Sequence, residues 1–261
     1  MKQLAFHFEA ALALSQPAAQ HVFALRCLPA ACDTQQILQL QAVVEPGTAL
    51  FCQRDGFGST MLCGTLNAPH TSFRYRCTGV ARVDYALRRS CPPEQAMPYR
   101  SPGALTAPDA ALRAWLAGLA PALAGCPPEA QARLLCGAVH DRLAYVPGAT
   151  ARDTTAARAL ALGRGVCQDY THVFLALARL AGLTVRYCMG LTPGEGATHA
   201  WAEVLLPDGW HGYDPTRGCE TDESWLRFAA GRDAADCPPE RGVFRGGGSQ
   251  KQTLHMALRE V

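Results

Sequence analysis

The chain has 261 residues, 49% of them hydrophobic and 18% charged, with a formal net charge of +2. That length suits one large domain or two small ones, and the apolar content supports a packed core rather than wholesale disorder. No run of Lys or Arg marks a nucleic-acid or acidic-membrane surface, and no apolar stretch reaches the roughly 18 residues of a membrane span.

The first segment has one early cation, Lys2, and an apolar stretch from Ala10 to Leu14. His7 and Glu9 interrupt it, and its apolar core is too short for an export signal. It therefore reads as a first β-strand, and the chain as cytoplasmic. Residues 36–44, 49–52 and 71–83 are rich in Val, Leu, Phe and Tyr. Phe73, Tyr75 and Cys77 alternate with Arg74, Arg76 and Thr78, the pattern of a strand with one wet face. Asp55-Gly56-Phe57-Gly58 marks a tight turn between strands. Residues 91–103 then hold Pro92, Pro93, Pro98 and Pro102, where regular structure is expected to stop. This places a boundary near residue 100, between a β-rich domain (1–100) and a second domain (101–261).

The second domain opens with helical spacing. Leu112, Trp115, Leu116, Leu119 and Leu123 recur every three or four residues, and another helix is expected over 128–143 behind Pro127-Pro128. Thr154 or Thr155 caps a short helix that Gly163 closes. Val166, Tyr170, Val173, Phe174, Leu177 and Leu180 then share one face of an amphipathic helix. Strand-like runs follow at 184–191, 199–206, 210–214 and 252–258, with the glycine-rich segment 241–248 read as loop. Helices first and an antiparallel sheet after them define an α+β domain rather than alternating βαβ units.

There are 12 cysteines. No Cys-x-x-Cys pair exists, and Cys27 and Cys32 are the closest two, so neither a zinc site nor a disulfide framework is indicated. Most read as small core hydrophobes in a reducing compartment.

Cys167 differs because it sits in the first turn of the helix that follows Gly165. Backbone N–H groups there lack partners inside the helix and carry its positive end, which favours a thiolate and a developing oxyanion. Gly165 is expected to leave room for a substrate backbone. His199, Trp201 and Glu203 share one face of a strand. Asp214 ends the next run, before Pro215. With a hairpin tip at Leu206-Pro207, Asp214 lies opposite His199. With a tip at Asp208-Gly209, it faces Glu203, about 13 Å along the strand from His199. A thiol at a helix start, then a histidine and an aspartate on successive strands, is the pattern of an activated nucleophile, its base and the base's orienter. The same three residue types are also legitimate zinc ligands, although no fourth is evident.

These segments resemble the bacterial transglutaminase-like proteins. Gly165-Val166-Cys167-Gln168-Asp169-Tyr170 is similar to their nucleophile motif. His199-Ala200-Trp201-Ala202-Glu203-Val204 is similar to their histidine strand, and Trp210-His211-Gly212-Tyr213-Asp214-Pro215-Thr216 to their aspartate strand. Tyr145-Val146-Pro147-Gly148-Ala149-Thr150 resembles the segment upstream of the nucleophile. Residues 231–247 resemble their C-terminal stretch, and the first ~90 residues the β-rich domain that precedes such cores. The resemblance implies a papain-like core of helices on an antiparallel sheet, with Cys167 as nucleophile, His199 as base and acid, and Asp214 as orienter. The resemblance does not fix the reaction; hydrolysis of peptide, amide or isopeptide bonds through a thioester is the reading preferred here. Protein cross-linking and a non-catalytic binding or scaffold module are the alternatives. The expected partner is a peptide, protein or small amide, with no nucleic acid, membrane, cofactor or metal. Asp169 reads as a dipole partner, Trp201 and Trp210 as cleft walls or packing, and Tyr145 as an oxyanion donor of low rank. Gly194-Glu195-Gly196-Ala197 reads as a flap or a strand connection. His172 points to a different helix face from Cys167 and is a poor base.

Overall fold

The longest element, β1 (Lys2–Leu25), buries alternate residues from Leu4 through Leu14, so an unbroken strand pattern opens the chain. This computed structural model describes residues 1–194 and 196–261; Glu195, in the Gly194–Ala197 segment, lies outside them. At residues 15–17 β1 changes neighbours. Pro17 lies at that change, where its missing N–H breaks no ladder bond. The remaining N-terminal strands are β2 (Gln35–Glu45), β3 (Leu50–Arg54), β4 (Thr60–Leu66) and β5 (His70–Val83), in the order β2-β5-β1-β4-β3. The turn between β3 and β4 is held by Asp55, whose Oδ1 accepts from the N–H groups of Phe57 and Ser59 at 3.0 and 2.9 Å.

The proline-rich stretch keeps short helical turns rather than losing all structure. They include α1 (Pro93–Ala96), with Pro93 at the first helical position, where a missing N–H is harmless. Next come α2 (Ala110–Leu123), capped by Asp109, and α3 (Pro128–Arg142). A parallel pair, β6 (Ala144–Tyr145) with β7 (Arg164–Gly165), flanks α4 (Ala156–Leu162), which Thr155 caps and Gly163 ends in the left-handed region. Then α5 (Cys167–Leu180) leads into an antiparallel sheet. It comprises β8 (Val185–Leu191), β9 (His199–Leu206), β10 (Gly209–Asp214), β11 (Cys219–Glu220) and β12 (Leu226–Gly231), in the order β11-β10-β9-β8-β12.

The glycine-rich segment expected as loop is largely a strand, β13 (Glu240–Gly246). It pairs antiparallel with the second half of β1, and β14 (Gln250–Glu260) pairs with the first half. The last strands thus return to the sheet that the first residues begin. Gly242 fits there because a Cβ would come within 2.8 Å of the His21 ring. One core runs through both sheets. Phe228 of β12 packs on Phe6 and Phe8 of β1 at ring-centre distances of 5.9 and 5.4 Å. The expected one-sided amphipathicity of α5 is not what is found: Asp169 through Ala178 are all buried, with β8 and β9 on one side and α2, α3 and α4 around the rest. No helix among the described residues is long and apolar enough to cross a membrane.

Candidate functional site

The start of α5 is built around Asp169. Its Oδ2 accepts from the Val166 N–H at 2.8 Å and from the Thr150 hydroxyl at 2.6 Å, tying the first turn to the segment before α4. Burial raises its carboxyl above the usual range, against the pull of these hydrogen bonds. This folded-back side chain also explains Gly165, since a Cβ there would lie 2.5 Å from Asp169 Oδ2. The glycine makes room for Asp169, a role that the sequence reading does not assign to it. β6 braces the same turn from outside, with the Val146 N–H donating to the Gly165 carbonyl at 2.9 Å. Cys167 therefore stands, half-buried, on a rigid helix start.

Neither expected hairpin register is found. Leu206 pairs with Gly209 and Ala202 with Tyr213, so the tip is Pro207-Asp208 and the register carries Asp214 opposite Trp201. His199 and Asp214 are then diagonal neighbours on one face, within reach of long side chains. His199 Nε2 lies 2.7 Å from Asp214 Oδ2, with His199 3% and Asp214 0% exposed. Asp214 Oδ1 accepts from the N–H groups of Thr216 and Arg217 at 3.0 and 3.2 Å, so the turn at Pro215 folds back to fix the carboxylate. The Arg217 guanidinium adds charge 3.7 Å from Oδ2, a contact that no sequence pattern announced.

Burial opposes a charged His199 ring, but the interactions with Asp214 and with the Cys167 thiol outweigh it and raise the ring to about 9. Among the described residues no group of three or more His, Cys, Asp or Glu is arranged to hold a metal ion.

The neighbours sort by packing. Trp201 is 1% exposed and packs with Cys188 and Trp225, so it is core. Trp210 lies against Tyr99 and under the Arg186 guanidinium, 4.1 Å from the ring centre. Tyr145 is 53% exposed, its ring 6.4 Å from that of Tyr170. His172 is fully buried, accepts from the Ala234 N–H at 3.1 Å and is pushed down to about 3 by burial, away from Cys167. Glu203 pairs with Arg186 at 2.7 Å and Arg227 at 3.0 Å. Although burial opposes its charge, the two guanidiniums hold its carboxyl at about 2. A cavity of about 830 Å³ opens next to the triad, bordered by Gln168 and Thr198, the neighbours of Cys167 and His199.

Two family models match this arrangement. Residues 119–215 match the Transglutaminase-like superfamily core, and residues 5–82 match the bacterial transglutaminase-like N-terminal region. The chain belongs to the transglutaminase-like superfamily. Cys167, His199 and Asp214 all fall inside the matched core, and β1 to β5 carry the matched N-terminal region. An uncharacterized protein of Mycobacterium leprae is 36% identical over 120 residues, covering 42% of this chain and 43% of that protein. An uncharacterized protein of Mycobacterium tuberculosis strain H37Rv is 34% identical over 128 residues, covering 43% of this chain and 41% of its own. The matched region spans less than half the length of these relatives. A solved structure from Cytophaga hutchinsonii, described as a candidate cysteine protease, superposes with a TM-score of 0.80. It covers 100% of this chain and 91% of its own at 18% identity, a likeness of fold. The transglutaminase-like core is thus joined here to strands β13 and β14, which lie outside both matched regions.

Proposed function

We propose that this chain is a cysteine peptidase or amidase that works through an acyl-enzyme at Cys167. The observation that carries the reading is the His199 ring, held 2.7 Å from a buried Asp214 and close enough to the Cys167 thiol for the sulfur to favour the charged ring. The Cys167 thiol passes its proton to the His199 ring, whose charged form Asp214 favours, and the sulfur is left as the attacking thiolate. Sulfur bonds to the amide carbonyl carbon, and the C=O electron pair moves onto oxygen. The first N–H groups of α5 have no carbonyl of their own helix to bond and can receive that oxyanion. His199 then gives its proton to the leaving nitrogen, the C–N bond breaks, and an amine departs from the thioester. Water loses a proton to His199, adds to the thioester and releases the carboxylic acid and the thiol. An amine in place of water gives transfer instead of hydrolysis.

Limited iodoacetamide labelling of the folded protein from pH 4 to 9, mapped by mass spectrometry, tests the reading. Cys32 and Cys52 are exposed and serve as references. Cys167 is expected to react well ahead of both below about pH 8, where an unperturbed thiol is mostly protonated. Labelling no faster than Cys52 would hand the lead to the non-catalytic module.

A further inference from the structure

The cavity bordered by Gln168 and Thr198 is also lined by Tyr187 and Met189 of β8 and by Leu254 and Met256 of β14, walls that suit an aliphatic chain. Glu240, the first residue of β13, lines it too. Its carboxylate is half-buried and accepts from Gln252 Nε2 at 3.2 Å. The Tyr75 hydroxyl, itself buried and facing the same cavity, lies close to it but short of a full hydrogen bond. Among the described residues Glu240 makes no ion pair within 4 Å, although Arg152 and Arg241 also border the cavity and the Arg152 charge acts on it from a distance. The contrast with Glu203, clamped by two arginines, is plain. Burial raises the Glu240 carboxyl above its usual range, against the pull of Tyr75 and Arg152. A half-buried carboxylate without a contact ion pair is unfavourable, and a donor-rich positive group at hydrogen-bond distance relieves it.

We infer that this cavity receives a substrate segment with an aliphatic chain ending in a cationic nitrogen, and that Glu240 is its counter-ion. The inference rests on Cys167 being the nucleophile of an amide-cleaving enzyme. A protonated amine paired with a carboxylate has no free electron pair, so this site reads the substrate and does not deliver an attacking amine. A lysine-like side chain has the required form: four methylenes for the apolar walls and an ammonium for Glu240 with Tyr75 beside it.

Protection of Cys167 from iodoacetamide tests this without a known substrate. The probes are Nα-acetyl-lysine methylamide, its norleucine analogue, and the Nε-acetylated lysine compound, which keeps the four methylenes and the nitrogen and loses the charge. The lysine compound is expected to reach half-protection at about tenfold lower concentration than either neutral probe, the effect of one charged hydrogen bond. In Glu240→Gln that advantage is expected to vanish. Equal protection by all three probes in the unmodified protein overturns the inference, as does an advantage that survives in Glu240→Gln. The wild-type comparison needs no variant, so poor folding of Glu240→Gln would not blunt it. A failure of the nucleophile reading shows separately, as slow labelling of Cys167 with no amide present.

Discussion

His199 takes its character from its two partners, and this has a measurable sign. In the folded chain it keeps its proton to about pH 9, whereas an unfolded histidine loses it near 6.5. Its contribution to stability is therefore complete below about pH 6.5 and fades as pH rises toward 9. His172 and His21 run the other way. Burial lowers them to about 3 and about 4, with His70 adding to the second, so both are neutral when folded and protonated when unfolded in acid. Stability then falls as pH drops below about 6.5, by up to ~1.4 kcal/mol per pH unit for each ring. Urea midpoints are expected to peak near pH 6.5 to 7 and to fall on both sides, and His199→Gln is expected to lose the slope between about pH 6.5 and 8, below the range in which the buried thiols Cys136 and Cys188, raised by burial, add their own. A slope between about pH 6.5 and 8 that persists in His199→Gln rules out this origin. Asp214→Asn is expected to move the His199 titration, followed by NMR, from about 9 toward its ordinary value; an unmoved midpoint means the carboxylate is not the cause. Cys167, His199 and Asp214 were all readable as candidates, because helix start, strand face and strand end are local patterns. Arg217, Thr150 and Glu240 were not, since each acts on a partner that only the tertiary fold brings close.

At the scale of elements, the start of α5 and the β9–β10 hairpin fix the geometry. Both expected registers put His199 and Asp214 on one face, and the found one, shifted by two from each, keeps it. The tip was not readable, since Leu206-Pro207-Asp208-Gly209 offers several turns, and the found register lies between the two expected ones. β13 was missed for a related reason. Its glycines look like loop, yet Gly242 is there to clear the His21 ring. Gly165 was singled out for substrate access, and the room it gives Asp169 supplies a sharp test. In Gly165→Ala the new methyl meets the Asp169 carboxylate that holds the first turn, with an expected loss of about 1–3 kcal/mol and slower labelling of Cys167. Gly163→Ala is the control. It sits at φ +62° with open space around the missing Cβ, so only backbone strain is added, roughly 1–2 kcal/mol. Cys167 labelling is expected to be retained in Gly163→Ala. If both variants slow it equally, Asp169 is not what positions the nucleophile.

For the whole molecule, the decisive feature is β1. It pairs with β4 and β5 from the N-terminal stretch and with β13 and β14 from the chain's end. Composition marks the proline-rich strap near residue 100, but a pairing between residues over 200 apart leaves no local signal, so the closing of the chain on its first strand was not legible. Its consequence is energetic coupling. Phe228, fully buried in the β8–β12 sheet, packs on Phe6 and Phe8 of β1, and one apolar core joins the two sheets. Neither sheet can unfold without exposing aromatic surface of the other, worth about 25 cal/mol per Å². A single cooperative transition is therefore expected. The four tryptophans, Trp115, Trp201, Trp210 and Trp225, all follow the strap, so tryptophan fluorescence reports that part alone. Far-UV circular dichroism sees the strands of both sheets. The two curves are expected to coincide in urea, and Phe228→Ala is expected to shift them together by about 3–5 kcal/mol. Were the sheets independent, fluorescence and dichroism would separate, and Phe228→Ala would move the fluorescence curve far more than the β1 sheet. Coincidence in both proteins means that the sheet carrying Glu240 and the helix carrying Cys167 are held by one folding equilibrium.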